Sequence, residues 1–117
     1  LEIPVAPMHY NSMEIVHGGV LAGLLDSAMG MALLTKNKAG VTTSMNIHYL
    51  KSAKKGDVLR AKADVVRNGR TVVYCEAKIF NQWEEVLAIG QGAFLVQVDD
   101  FVQVYAAKLR AQDVQEQ

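Results

Sequence analysis

Only one cysteine, one tryptophan, two prolines and three histidines occur among the 117 residues. Each scarcity excludes something. The lone Cys75 rules out an intramolecular disulfide, and histidines scattered without cysteine partners leave no pattern for a structural zinc ion. Both prolines, Pro4 and Pro7, lie at the start of the chain, so the stretch Leu1 to Met8 reads as an extended or edge segment and nothing after it is broken by a proline. Twelve basic residues balance twelve acidic ones, which removes the broad positive field of a general nucleic-acid binder. No GxSxG turn and no phosphate-cradling glycine loop occurs. A charged start followed by an apolar stretch and a small-residue cleavage site is also missing, so the sequence gives no sign of export and a cytoplasmic setting is expected. The chain opens on Leu1 rather than methionine, as a trimmed or partial chain would. No internal repeat or low-complexity segment is visible.

The sequence does contain apolar bulk, at 50% of residues, enough for one compact domain over 1–117. Its centre is the run from His17 to Thr35, HGGVLAGLLDSAMGMALLT. After Gly19 only Asp26, Ser27 and Thr35 are polar, so a helix here is expected to be wrapped by the rest of the chain. The run is at the short limit for crossing a bilayer and carries a carboxylate near its middle, which favours a buried helix over a membrane span. On a 3.6-residue period Gly19, Ala22, Gly23, Asp26 and Gly30 form one stripe. Asp26 thus stands in a groove of small residues, reachable by another backbone or a thin ligand.

The remainder alternates. Asn37 to Gly40 is turn chemistry, and VTTSMNIHYLKSA then places Met45, Ile47 and Tyr49 on one face of a half-buried strand. Leu59, Ala61, Ala63 and Val65 alternate with Arg60, Lys62 and Asp64, Asn68-Gly69 marks a hairpin, and Val73, Cys75, Ala77 and Ile79 face inward on the return. Asn81 to Glu84 is a second turn, and Gly90 and Gly92 suggest a bulge or sharp bend in the last strand. From Asp99 the tail reads as a helix capped by Asp99 or Asp100, with the final AQDVQEQ fraying. The fold class that follows is α+β: an edge segment, one long helix, then four antiparallel strands curved around it, with the tail helix over 99–117.

A helix that begins with His17-Gly18-Gly19 offers unpartnered N–H groups and the positive end of its dipole to a developing oxyanion. Together with a reachable carboxylate, this suits hydrolysis of a bond whose leaving group departs unprotonated. A thioester fits, because a thiol of pKa about 8.5 leaves readily as thiolate.

Asn11, the HGG at His17 to Gly19, Asp26, the strand VTTSMNIHYL and the NGRT turn together resemble the hotdog-fold acyl-CoA thioesterases of the PaaI-like and 4-hydroxybenzoyl-CoA thioesterase superfamily. The likeness spans about residues 8–96, and it implies a hotdog fold and hydrolysis of an acyl-CoA to a carboxylic acid and free coenzyme A. By position it makes Asp26 the general base or nucleophile, Gly18 the oxyanion N–H, and His17 and Asn11 the groups that orient the carbonyl. Thr42 matches a residue that positions the attacking water in some members, whereas strand parity puts Thr43 with the inward Met45 and Ile47. Gly19, Thr43 and Arg70 are the substrate-binding candidates, with Arg70 set to meet a coenzyme A phosphate; Arg67, Lys51, Lys54 and Lys55 are further basic candidates. No metal is implied, nor any cofactor besides the coenzyme A of the substrate. Two other readings use the same scaffold: a non-catalytic acyl-CoA or lipid-binding module, and a hydratase or dehydratase.

Gly18 and Asp26 are eight residues apart, about 12 Å of helical rise, too far for both to touch one carbonyl. A two-fold axis setting two such helices antiparallel would bring Gly18 of one chain beside Asp26 of the other. The expectation is a homodimer with shared sites, and the resemblance likewise implies a dimer, often paired into a tetramer.

Overall fold

The structure is a computed structural model that describes residues 2–4, 16 and 18–116, with side chains for residue 16 and residues 18–111. In chain order the elements are β1 (Glu2–Pro4), α1 (Gly18–Leu34), β2 (Lys38–Tyr49), β3 (Val58–Asn68), β4 (Val72–Phe80), β5 (Val86–Asp99) and α2 (Phe101–Glu116). The strands form one sheet in the order β1-β3-β4-β5-β2, with every pairing antiparallel.

Helix α1 lies across one face of this sheet. Leu21, Leu24, Leu25, Ala28, Met29, Ala32 and Leu33 recur at helical spacing and are buried. They meet the inward residues of the strands, among them Leu59, Val73, Cys75, Ile79, Leu87 and Phe94. The opposite side of α1 is bare: Gly19, Gly23, Ser27, Met31 and Leu34 are exposed. The small-residue stripe is therefore present, but within one chain the sheet wraps only one side of the helix.

Gly90 and Gly92 do not mark a bulge, since β5 keeps continuous register through both against β2 and β4. They are instead the floor on which the helix rests. A Cβ on Gly90 would stand 3.2 Å from Leu25 Cδ1, and one on Gly92 3.1 Å from Met29 Cε and Phe94 Cε2. The irregularities fall elsewhere: the unpaired extra residue is Thr43 of β2 at Thr42/Ser44, Gln97 of β5 at Ala39/Gly40, Val66 of β3 at Val65/Arg67 and Leu87 of β5 at Ile79/Phe80. The turn after α1 is also shorter than the sequence suggests, because Asn37 takes a left-handed φ of 60° and Lys38 already pairs with Asp99.

Two contacts tie the end of α1 to distant parts of the chain. The Lys38 ammonium is buried and donates to Asn68 Oδ1 at 2.7 Å and to the Gly69 carbonyl at 2.9 Å, holding the β3–β4 hairpin. Asn37 clasps the start of α2: its carbonyl accepts from Phe101 N–H and its Oδ1 from Val102 N–H, each at 2.8 Å, while its Nδ2 donates to Asp100 Oδ1 at 2.8 Å. Asp100, the expected cap, also accepts from Gln103 N–H at 3.5 Å. The helix runs on to Glu116, past the point where fraying is expected.

Cys75 sits under Met29 at 2% exposure, and burial pushes its thiol from 9.0 up to about 11. The unfolded chain releases this proton near its ordinary value while the folded chain keeps it. The stabilising contribution is thus complete below about pH 9 and lost as pH rises toward about 11, in total on the order of 3 kcal/mol. Urea midpoints measured between pH 8.5 and 11 are expected to fall more steeply for wild type than for Cys75→Ala, and parallel curves would contradict this.

Candidate active site

Asp26 stands in the middle of α1 at the border between its buried and bare sides, and it is half-buried. Its partner comes from the sheet edge: Thr42 Oγ1 donates to Asp26 Oδ1 at 2.6 Å. No cation pairs with the carboxylate among the described residues. Around it Gly23 and Gly30 leave open space, with nothing within 4 Å of where a Cβ would be. The carboxylate is held in place by one hydroxyl and is approachable from outside.

Strand parity alone favours Thr43 over Thr42 on the helix side, and the bulge at Thr42/Ser44 reverses that. Thr43 is the extra residue, and its hydroxyl donates to the Ala93 carbonyl at 3.1 Å. Below the bulge Met45 and Ile47 pack against the core, and above it Thr42 turns toward Asp26.

Gly18 opens α1 at the far end of β2. There Tyr49 Oη donates to the Gly18 carbonyl at 3.1 Å, and its ring lies 3.5 Å from the position a Gly18 Cβ would take. Tyr49 is 53% exposed rather than inward as the alternation suggests, because the strand ends there and the ring folds over the helix terminus. Beside it Val16, Leu50, Lys51 and Ser52 line a hollow of about 240 Å³. Only the glycines of HGG hint that a ring could sit so close. Gly19 is exposed with free space around it. Asn11 and His17 lie outside the described residues.

Gly18 and Asp26 occupy one unbroken helix, so a single chain keeps them about 12 Å apart. Between them the bare face of α1 continues onto β2, an edge strand of 12 residues with Val41 exposed at 51%. The basic candidates divide. Lys51 is paired with Glu85, whose carboxyl is held below its usual range chiefly by that contact. Arg67 and Arg70 flank the hairpin that Lys38 holds, and both are exposed. Cys75 faces the core with its thiol protonated at neutral pH, which removes it as a nucleophile. Among the described residues no cluster of histidine, cysteine and acid could hold a metal, and no helix is long and apolar enough to cross a membrane.

The sequence model of the thioesterase superfamily matches residues 13–88. Acyl-coenzyme A thioesterase 13 of Homo sapiens is 34% identical over 83 residues, covering 69% of this chain and 59% of that protein. The chain thus spans well under two thirds of the length of that relative. Among solved structures, a Streptococcus mutans protein bound to acetyl CoA superposes with a TM-score of 0.81 at 28% identity, over 84% of this chain and 79% of the other. A hypothetical thioesterase of Streptococcus pneumoniae, solved with coenzyme A, gives a TM-score of 0.81 at 30% identity over the same shares. The latter was also solved as an aspartate-to-alanine and a threonine-to-alanine variant, at positions 16 residues apart in its chain. The family match and the superposed structures agree, and the chain belongs to the thioesterase superfamily with the hotdog fold.

Proposed function

We propose that the protein hydrolyses acyl-CoA thioesters, using Asp26 to activate water or to attack the carbonyl itself. The observation that carries this is the Thr42–Asp26 contact: a half-buried carboxylate among glycines, aimed by one hydroxyl and open on its other side. As base, Asp26 takes a proton from water while the water oxygen attacks the thioester carbon; the C–S bond then breaks and coenzyme A leaves as thiolate. As nucleophile it forms a mixed anhydride that water opens afterwards. In either route Thr42 is a positioning residue that fixes the carboxylate, and water where water is used. The 16-residue spacing of Asp26 and Thr42 equals that of the two substituted positions in the Streptococcus pneumoniae relative, which supports pairing them in function.

The oxyanion donor comes from a second copy in this reading. The bare side of α1, the exposed Met31 and Leu34, and the edge strand β2 with exposed Val41 form one apolar surface around Asp26. Pairing two such surfaces about a two-fold axis would set the helices antiparallel and bring the partner's Gly18 N–H to Asp26. His17 and Asn11 would then orient the carbonyl, Gly19 and Thr43 would line the acyl path, and Arg70 would face the coenzyme A phosphates.

Free-thiol release across a panel of acyl-CoAs tests the activity. Asp26→Asn is expected to lower kcat at least about a hundredfold with little change in KM, the pattern of a group used in the transition state. A folded Asp26→Asn protein with near-wild-type turnover would refute the mechanism.

The two threonines are expected to separate. Thr42→Val should reduce kcat about tenfold or more, whereas Thr43→Val should stay within about twofold. Equal losses would mean that the hydroxyl on Asp26 is not the one that matters.

Shared sites predict complementation. An Asp26→Asn chain refolded with a Gly18→Val chain, each nearly inactive alone, should recover about a quarter of wild-type activity, because half of random dimers carry one intact site. No recovery in verified mixed dimers would place both groups in one chain's site.

A further inference from the structure

The start of α1 lacks the usual means of holding a first helical turn. His17 precedes it where a Ser, Thr, Asp or Asn would cap, no acidic residue lies in the first turn, and the helix opens on Gly18 and Gly19. Glycine gives up the most backbone freedom on ordering, and neither residue has a side chain for packing to grip. The grip comes from the end of β2. Tyr49 Oη donates to the Gly18 carbonyl at 3.1 Å, and the ring Cζ lies 3.5 Å from where a Gly18 Cβ would stand.

The atom that Tyr49 holds is significant. A capping hydroxyl or carboxylate would accept from the first N–H groups of the helix, and those are the groups that a developing oxyanion needs. Tyr49 holds the turn through a carbonyl instead and uses none of its N–H groups. The Gly18 carbonyl and the Gly19 N–H are the two ends of one planar peptide unit. A donor on the oxygen draws electron density toward it, which makes the nitrogen end a stronger donor and fixes the plane in which its N–H points. Gly19 adds no obstruction, with nothing within 4 Å of where its Cβ would be. Thr42, earlier on β2, donates to Asp26, so hydroxyls of one strand hold both the carboxylate and the first peptide of α1.

We propose that Tyr49 is a positioning residue of the oxyanion hole: its hydroxyl sets and polarises the Gly18–Gly19 peptide, so that the Gly19 N–H acts as a second donor beside that of Gly18. This rests on thioester hydrolysis at Asp26, and in the two-fold arrangement the Thr42 and Tyr49 that serve one carbonyl belong to different copies. Tyr49 acts through the peptide rather than on the thioester itself. A strengthened N–H gains most when the carbonyl oxygen becomes negative, so the effect belongs to kcat rather than KM.

Tyr49→Phe keeps the ring and removes the hydroxyl. It is expected to lower kcat about tenfold with KM within about twofold, a smaller loss than deletion of an oxyanion donor because the N–H itself remains. Replacing Tyr49 by 3-fluorotyrosine, a stronger donor of nearly the same shape, should raise kcat above the wild-type value at neutral pH. A ring that only packs on the helix end would give equal turnover in all three proteins. Apart from turnover, the Gly19 amide nitrogen resonance should move upfield in Tyr49→Phe and downfield in the fluorotyrosine protein, with Gly23 unmoved as reference. Thermal melting confirms folding, and if Tyr49→Phe is unfolded, the fluorotyrosine protein against wild type still decides. Wild-type kcat in folded Tyr49→Phe, a loss confined to KM, or a Gly19 resonance indifferent to the hydroxyl would overturn the proposal. Wild-type protein inactive on every acyl-CoA would overturn the thioesterase reading and the role of Tyr49 together, whereas an active wild type with an equally active Tyr49→Phe overturns the role of Tyr49 alone.

Discussion

The depth at which α1 rests on the sheet governs the rest of the structure. Gly90 and Gly92 bring the backbone of β5 within van der Waals reach of Leu25 and Met29, and even one methyl at either place would meet a side chain near 3.1–3.2 Å. A helix lifted by such a methyl would carry Asp26 away from the edge strand. The 2.6 Å contact with Thr42 exists because the floor beneath the opposite side of the helix has been cleared. Core packing and site geometry are here one constraint.

That constraint also explains the division of the helix surface. Leucines and methionine on the sheet side bury apolar area at roughly 25 cal/mol per Å², whereas the glycines on the other side bury none within the chain. A helix of such composition gains little by facing water. Its bare side and, among the described residues, the free edge of β2 together make one continuous surface that asks for a partner.

Much of this was readable from the residues, because the signals were local. The 3.6-residue stripe located α1 and its groove, period-two alternation assigned the inward faces of β3 and β4, and Asn68-Gly69 announced the hairpin. What escaped depends on pairing between distant segments. The bulge that turns Thr42 rather than Thr43 toward Asp26 arises only from the register of β2 on β5. Gly90 and Gly92 suggest a bulge because nothing local reveals that a helix presses on them. Tyr49 over Gly18 and Lys38 under the hairpin each join residues about 30 positions apart.

Asn37 serves two helices at once. Its backbone accepts no ordinary turn geometry, with φ at 60°, and its side chain and carbonyl satisfy the first amides of α2. The end of α1 and the beginning of α2 are in effect a single joint, closed by Asp100, which also has a left-handed φ of 64°. Sequence beyond Tyr105, where the Phe101–Tyr105 ring stack ends, can therefore diverge without disturbing α1. A change at Asn37 or Asp100 would be felt at both ends of the molecule, so the tail is free to evolve while its hinge is not.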